Sequence, residues 1–378
     1  MKKILFLSGT RADYGKLKAL MKTVEQSDEF ETYIYVSGMH LLEKYGNTYK
    51  EIEKDNYRNV YVAFGLQQTE SMSFNLGNLI CNFSGYVRNI QPDMIIVHGD
   101  RIDALAGAVV GALNNIIVAH IEGGELSGTI DESIRHTITK LAHLHLVCNL
   151  EAKKRLLQMG EEEERIYVLG SPDVDLMFSD QLPLLSEAKE RYGIPYAQYG
   201  ILMYHPVTTE YELLGENIQK VVNAVIASDR DYIVIYPNND LGSELILNEY
   251  KRLKNSQISD RFCVFPSIRF EYFLSLLKNA DFIVGNSSAG VREACVYGVP
   301  TIDIGSRQQG RYSFETIGNI QHVEEQEREI LSAIEKVQDY HKKSSYYGDG
   351  NSANRFMEIL QGDIWNFPIQ KHFVDIDF

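Results

Sequence analysis

Residues Val97–His136 read VHGDRIDALAGAVVGALNNIIVAHIEGGELSGTIDESIRH, and this stretch decides the fold. The runs Met94–Val97 and Ile116–Ile121 are short, apolar and rich in β-branched residues, which is typical of strands buried on both faces of a parallel sheet. The segment Ile102–Leu113 between them has a helical pattern. A strand, a helix and a second strand predict a βαβ unit, and hence a mostly parallel sheet.

Three carboxylates follow this pattern at positions suited to chemistry. Asp100 and Glu122 come directly after the two strands, and Asp131 opens a helix after a glycine-containing loop. Ligands of open α/β sheets bind at the carboxyl ends of the strands, so we expect the three groups to converge and serve as general acids or bases.

Each carboxylate except Glu122 also has a plain structural explanation. Asp100 and Asp131 stand where a helix N-cap is expected, and N-caps are often aspartate. Glu122 lies between a strand and a glycine pair, where no helix needs a cap. The prediction of an acid–base site therefore rests on the cluster and not on any single residue.

Composition limits the classes of protein to consider. The chain has 378 residues, 44% of them hydrophobic and 24% charged, which predicts a globular protein of two domains. Its formal net charge of −15 argues against nucleic acid or an anionic membrane as the main partner. A local group of N–H donors and basic side chains can still bind a small anionic ligand.

The cysteines and the N-terminus bear on location. The four cysteines are scattered without metal-ligand spacing, so we expect no disulfide framework and a reducing compartment. The N-terminal apolar run is short and followed by Arg11 and Asp13, which favours a first strand over a signal peptide. The predicted location is the cytoplasm.

The alternation of strands and helices recurs along the chain and then starts again. The fold class predicted is α/β, with two doubly wound Rossmann-like domains facing a cleft, as in the GT-B glycosyltransferase fold. The first domain is predicted at 1–175, with a C-terminal helix, 358–378, packing back on it, and the second at 176–357. The stretch Asn351–Leu360 is also predicted to be helical and able to pack back on the first domain. The polar, proline-containing stretch Ser179–Tyr199 is predicted to hold the linker.

Two segments have the character of anion sites. SGTRADYGK, Ser8–Lys16, joins the first strand to a helix, and Arg11 and Lys16 add positive charge there, although a surface loop explains it as well. GNSSAGVRE, Gly285–Glu293, follows the strand DFIV and predicts a helix over Ala289–Tyr297. Ser287 and Ser288 can cap that helix and bind a diphosphate, and Glu293 can accept hydrogen bonds from a ribose; a plain capped helix is the alternative.

Other polar segments follow strands of the second domain. His205 in YHPVTTE stands at a strand end, and a histidine there can stabilise a leaving phosphate, although a lone histidine is more often structural. Arg307 in GSRQQGR brings positive charge to the same edge, and PNNDLG, 237–242, also follows a strand.

Together these segments resemble the UDP-N-acetylglucosamine 2-epimerase family, most closely its hydrolysing branch. The resemblance extends over nearly the whole chain and rests on these motifs in order: GTRADYGKLK, VSGMH, HGDRIDALAGA, HIEGGELSGTIDESIRHTITKLAHLH, GSPD, HPVTTE, YPNND, GNSSAGVREA and GSRQQGR. The loop HIEGGELSGTID is characteristic of the hydrolysing branch.

The resemblance implies roles for the matching residues. Asp100, Glu122 and Asp131 match the family's catalytic carboxylates, and His205 matches its histidine near the diphosphate. The positions that contact UDP are matched by Arg11, Arg101, Asn238, Ser287, Ser288, Glu293 and Arg307. The family's fold also implies a homo-oligomer, at least a dimer.

The resemblance implies a hydrolase acting on an O-glycosyl bond. UDP-N-acetylglucosamine and water would give N-acetylmannosamine and UDP through 2-acetamidoglucal, for sialic acid synthesis, without a metal or cofactor. Our assignment within this scheme is Asp100 or Asp131 as the base at C2 and Glu122 as the acid–base group for water addition.

Three alternatives remain. The first is a hydrolysing 2-epimerase acting on UDP-N,N′-diacetylbacillosamine, for legionaminic acid synthesis, although the intact segment SAGVREACVYGVP favours N-acetylglucosamine. The second is a GT-B glycosyltransferase, which has no reason to cluster three carboxylates. The third is a non-catalytic nucleotide-sugar sensor, which would not need Asp100, Glu122 and Asp131 together.

Overall fold

The computed structural model describes residues 1–43, 46–66, 71–127, 130–180, 182–237 and 241–375. Contact clustering divides the chain into a first unit, Met1–Phe178 with Gly348–Phe378, and a second unit, Ser179–Tyr347. In the described parts of the chain, no helix is long and apolar enough to cross a membrane.

The first unit contains a parallel sheet with seven strands among the described residues, and helices follow the strands along the chain. The strands are β1 (Lys2–Ser8), β2 (Phe30–Val36), β3 (Val60–Val62), β4 (Met94–His98), β5 (Ile117–Ile121), β6 (Leu144–Val147) and β7 (Ile166–Val168). The helices are α1 (Arg11–Glu25), α2 (Tyr49–Lys54), α3 (Met72–Ile90), α4 (Ile102–Leu113), α5 (Ile130–Leu141), α6 (Leu150–Gln158) and α7 (Asp173–Phe178).

The second unit repeats this plan with six strands among its described residues. The strands are β8 (Gly200–Met203), β9 (Tyr232–Ile235), β10 (Phe262–Phe265), β11 (Phe282–Gly285), β12 (Thr301–Ile304) and β13 (Ile320–Val323). The helices are α8 (Leu185–Tyr192), α9 (Tyr211–Ala227), α10 (Ser243–Lys254), α11 (Phe270–Lys278), α12 (Ser288–Val291), α13 (Glu293–Tyr297) and α14 (Glu327–Glu335).

Each sheet reverses its strand order beside its own first strand. The orders are β3-β2-β1-β4-β5-β6-β7 and β10-β9-β8-β11-β12-β13, with all pairs parallel. Such a reversal leaves a crevice at the carboxyl ends of the two central strands, which is the usual ligand position in this fold class. The predicted α/β class with two doubly wound sheets is confirmed, and the crevices lie between β1 and β4 and between β8 and β11.

The chain returns to the first unit earlier than the predicted 358. Helix α15 spans Ser352–Gln361, because the carboxylate of Asp175 accepts hydrogen bonds from the backbone N–H groups of Ser352, at 2.9 Å, and Ala353, at 2.7 Å. A short 3-10 helix, Asp363–Asn366, follows, and the described residues after it are not helical. The boundaries predicted at 175/176 and 357/358 are therefore corrected to 178/179 and 347/348.

Part of the predicted linker, Ser179–Tyr199, forms regular secondary structure. Helix α8 forms inside it, because the Glu187 carboxylate accepts from the backbone N–H of Leu184 at 2.9 Å and Gly193, at φ +61°, ends the helix. Strand β13 was not predicted, because its polar residues Gln321 and His322 interrupt the apolar run by which a strand is recognised. It lies at the edge of the sheet and pairs with β12.

Candidate functional site

Asp100 and Glu122 lie at the same edge of the first sheet, as predicted. Strands β4 and β5 are neighbours in register, with His98 opposite Ile121, and the N–H of Gly99 donates to the Ile121 carbonyl at 2.9 Å. The turns that follow the two strands therefore begin side by side at the crevice beside β1.

Glu122 is buried in a conformation that glycine usually adopts. Its side chain is 5% exposed, and its φ is +64°, which costs a residue with a Cβ roughly 1–3 kcal/mol. Its Oε1 accepts from Lys16 Nζ at 2.7 Å and from Ser171 Oγ at 3.3 Å. Strain of this kind persists where the surroundings hold the residue in place, and it is frequent at active sites.

His98 connects Glu122 to a further carboxylate. Its Nδ1 lies 3.2 Å from Asp13 Oδ1 and its Nε2 lies 3.4 Å from Glu122 Oε2. Burial opposes the charged imidazole, but the charge of Glu122 and the hydrogen bond with Asp13 outweigh it and raise the pKa of His98 to about 9. Burial likewise opposes ionisation of Asp13, yet His98 holds the pKa of that carboxyl below its usual range.

Asp100 has a different environment. Burial raises its pKa, and the negative charges of Asp131 and Glu122 act in the same direction, while Arg135 opposes them. Arg135, in α5, donates directly to Asp100 Oδ2. The three predicted carboxylates thus share one electrostatic environment, and a carboxyl whose pKa is raised toward neutrality suits proton transfer.

The same sheet edge also contains a neutral histidine. His120, on β5, is buried, with Nε2 2.8 Å from the Gly99 carbonyl and Nδ1 3.2 Å from Thr139 Oγ1. Burial lowers its pKa to about 3, so it stays uncharged and fixes the turn that precedes Asp100.

A cavity of about 240 Å³ adjoins this group within the first unit. Its wall is part polar and part apolar, which suits a sugar with an acyl substituent. It is lined by Thr10, Gly38, Met39, Leu66, Met72, Asn75, Leu79, Arg101, Ile102, Asp103 and Asp131.

In the second unit, Asn286 organises the turns after β8 and β11. Its Oδ1 accepts from the His205 N–H at 2.7 Å, and its Nδ2 donates to the His205 carbonyl at 2.9 Å. Its own carbonyl accepts from Arg307 Nη1 at 3.0 Å and Gln308 Nε2 at 2.8 Å. The predicted His205 and Arg307 are thus brought together by a residue that sequence reasoning missed, although its place directly after a strand signals it.

The segment after β11 needs its glycine. Gly285 has φ +133°, and a Cβ there would lie 2.0 Å from the Met203 carbonyl oxygen. Ser287 caps α12, with its Oγ accepting from the Ala289 N–H at 3.3 Å, and Ser288 is the first helical residue.

The single helix predicted over Ala289–Tyr297 is wrong. It is divided at Arg292, where φ is −91° and ψ is −60°, into α12 and α13, and the buried Glu293 begins α13. Thr301 Oγ1 donates to the Gly290 carbonyl at 2.7 Å, which provides that carbonyl with a partner outside the helix.

The remaining residues predicted to contact the nucleotide lie outside the segment 285–293. Arg11 pairs with Glu51 at 3.2 Å, Lys16 pairs with Glu122, and Arg101 is exposed at the cavity, all within the first unit. Asn238 lies outside the described residues. The role of all four in binding UDP stays a prediction.

Among the described residues, Glu122, Glu125 and Cys148 have ligand atoms close enough to share a metal ion, within 4.8 Å of one another. Lys16 already places a cation beside Glu122 Oε1. The metal-free site inferred from the sequence stays a prediction.

Comparison with known proteins identifies a matching family profile and similar chains. A family profile described as UDP-N-acetylglucosamine 2-epimerase matches residues 22–361. A UDP-N-acetylglucosamine 2-epimerase of Neisseria meningitidis serogroup B is 48% identical over 383 residues, covering 100% of both chains. The UDP-N,N′-diacetylbacillosamine 2-epimerase (hydrolyzing) of Legionella pneumophila is 33% identical, covering 96% of each.

The fold also matches solved structures. The crystal structure of a UDP-GlcNAc 2-epimerase from Neisseria meningitidis bound to UDP-GlcNAc superposes with a TM-score of 0.78, at 17% identity, covering 95% of this chain and 99% of that one. A likeness at this identity shows the shared fold of two Rossmann-like domains.

Proposed function

Because the chain belongs to the UDP-N-acetylglucosamine 2-epimerase family, we propose that it is a hydrolysing member that converts UDP-N-acetylglucosamine and water to N-acetylmannosamine and UDP. The observation that carries the proposal is the pair of contrasting carboxylates in the first unit. Asp100 has a raised pKa, whereas Glu122 faces the cations Lys16 and His98. Neighbouring acids in different environments are typical of sites that remove and return protons.

The reaction has two stages. A base removes the C2 proton, the C–H electron pair forms the C1–C2 double bond, and the C1–O bond breaks with its electrons leaving on UDP. The product of this stage is 2-acetamidoglucal. Water then adds its hydroxyl to C1, and a proton returns to C2 from the opposite face, which gives the manno configuration.

We assign the C2 proton to Asp100 or Asp131 and the addition of water to Glu122. The raised pKa of Asp100 makes its carboxylate a stronger base than an ordinary aspartate. Loss of a weakly acidic C2 proton needs a stabilised leaving group, a role that we assign to Arg307, His205 and Ser287 in the second unit.

The assignment predicts the behaviour of three amide variants. Asp100→Asn, Glu122→Gln and Asp131→Asn should each lower kcat by about 10²–10⁴-fold, the usual contribution of a general acid or base. Release of UDP and of free amino sugar would be followed by chromatography, together with any accumulated 2-acetamidoglucal. The partly exposed Glu151→Gln is the control, and normal turnover in all three variants would contradict the assignment.

A specific observation supports a second substrate. The Legionella relative is named for UDP-N,N′-diacetylbacillosamine, and the 240 Å³ cavity beside Asp131 can hold an additional acyl group. Comparing kcat/KM for the two nucleotide sugars decides between them, and we expect UDP-N-acetylglucosamine to be preferred. Transfer to an added acceptor sugar, in place of hydrolysis, would instead support the glycosyltransferase alternative.

We also propose that the product enters sialic acid synthesis, as the sequence resemblance implies. A strain that carries the gene and makes a sialylated product should lose it when Glu122 is replaced by Gln, and added N-acetylmannosamine should restore it.

A further inference from the structure

The two oxygens of Glu122 face different cations. Lys16 Nζ lies 2.7 Å from Oε1, and His98 Nε2 lies 3.4 Å from Oε2. On its other side the imidazole is held by Asp13, 3.2 Å from Nδ1. The proposed reaction assigns no step to Asp13 or His98. The side chain of His98 is nevertheless buried beside Glu122, with only 6% of its surface exposed.

His98 lies between the carboxylates of Asp13 and Glu122, and both favour an imidazolium there. Helix α1 contributes Asp13 and Lys16, β5 contributes His120, and the turn after β5 contributes Glu122. Arg101, directly before α4, and Asp103, in α4, also act electrostatically on Asp13. His120 is neutral, so it adds no charge. A neutral His98 would deprive two buried carboxylates of the cation that lies between them, which is costly.

We propose that His98 is a positioning residue for the reaction: anchored by Asp13, it fixes the carboxylate of Glu122 and, together with Lys16, keeps that carboxylate ionised between turnovers. The inference rests on the role proposed above for Glu122. His98 acts through Glu122, and it neither gains nor loses a proton in the reaction.

Two substitutions separate the effect of a polar N–H group beside Glu122 from the effect of its charge. His98→Gln keeps an N–H donor at the position of Nε2 but has no charge, and His98→Ala removes both. We expect kcat to fall roughly tenfold or more in His98→Gln and further in His98→Ala, with KM within about twofold, because misplacement of a reacting group lowers the rate more than it weakens binding.

The pH profile distinguishes positioning from a structural role. Without a neighbouring cation a carboxylate is protonated more easily, so the acid limb of kcat should move to higher pH in His98→Gln. His143→Asn is the matched control: His143 is a buried neutral histidine that precedes β6, and the asparagine oxygen can replace Nδ1 as acceptor for the Val118 N–H. This variant should keep the wild-type profile.

An activity-independent measurement tests the charge itself. Side-chain ¹⁵N NMR, with the His98 signals identified by their loss in His98→Gln, should show an imidazolium at pH 8 in the wild type and an easier loss of its proton in Asp13→Asn. If wild-type protein does not turn over UDP-N-acetylglucosamine but His98 is cationic, the proposed function fails while the charged arrangement stands. A neutral imidazole at pH 7, or His98→Gln with the kcat and acid limb of the wild type, overturns the inference.

Discussion

The charge on His98 links the site to stability. Its folded-state pKa, about 9, lies above the ordinary value of 6.5, so the proton is bound more tightly in the folded protein. The stabilisation is therefore complete below about pH 6.5 and is lost as the pH rises through 9. A difference of this size corresponds to roughly 3 kcal/mol.

Urea unfolding of wild type and His98→Gln should show this directly. We expect the wild type to be more stable by a few kcal/mol at pH 6 and the difference to shrink steadily toward pH 10. A difference that stays constant over this range would show that His98 contributes packing and not charge.

Gly285 provides a second test with a matched control. In Gly285→Ala the new Cβ would meet the Met203 carbonyl at 2.0 Å in a backbone conformation that alanine rarely adopts, so we expect a loss of more than about 2 kcal/mol and weaker UDP binding. Gly215→Ala, in the open interior of α9, should instead stabilise by about 0.5–1 kcal/mol. Equal effects in the two variants, measured by thermal unfolding, would contradict this account of the turn after β11.

The sequence identified the carboxylates of the site but not the residues that hold them. Asp100 and Glu122 are visible because each directly follows a strand. His98 was missed because the apolar run seemed to end at Val97, whereas β4 continues through the histidine. Asp13 lies 85 positions away, and only the pairing of β1 with β4 brings its helix to the same edge.

At the scale of elements, Lys371 in the C-terminal segment binds backbone carbonyls at the end of helix α5. Lys371 Nζ donates to the Thr139 carbonyl at 3.2 Å and the Ala142 carbonyl at 2.7 Å, and lies 2.5 Å from Glu161. Burial opposes ionisation of Glu161, but the hydrogen bond from His145 and those from Lys140 and Lys371 lower its pKa to about 2.

Lys371→Met should therefore destabilise the protein by about 1–3 kcal/mol at pH 7, because it weakens the pairing of a buried carboxylate. The folded-state pKa of Glu161 is below 4.5, so its stabilisation is present above pH 4.5 and is lost as the pH falls toward 2. The difference from wild type should accordingly narrow on acidification in urea unfolding. The exposed Lys154→Met is the control, and an effect as large as that of Lys371→Met would contradict this account.

Strands were predictable from short apolar runs, and helices were predictable where an apolar repeat begins with a capping residue. Strands β4 and β5 were predicted to within one residue at each end because they are largely apolar runs. Helix α7 was not predicted, because Pro172 directly before it suggests a turn, although proline is well tolerated at the start of a helix. Helix α15, Ser352–Gln361, was predicted to within one residue as Asn351–Leu360, although the domain assignment began the return to the first unit only at 358.

At the scale of the molecule, the proposal assigns the nucleotide to the second unit and the acid–base groups to the first. Saturating UDP should therefore stabilise the protein by mass action, by about 2.7 kcal/mol at a concentration of 100 Kd. Hydrogen exchange should locate the protected amides mainly in 285–293 and 305–311. Protection confined to the first unit would contradict the assignment of the nucleotide.

The division into two doubly wound units follows from the restart of the strand–helix alternation near residue 200. The crossing of the chain back at Gly348 does not follow from it, because α15 is capped by Asp175, which lies 177 positions away in the chain. A homo-oligomer and a cytoplasmic location remain predictions from the sequence.

Proton NMR of the purified protein with UDP-N-acetylglucosamine in deuterated water tests the central claim most directly. The proposed elimination and hydration predict free UDP together with N-acetylmannosamine that carries deuterium at C2. Intact UDP-N-acetylmannosamine, or N-acetylmannosamine that keeps its original C2 proton, would contradict it.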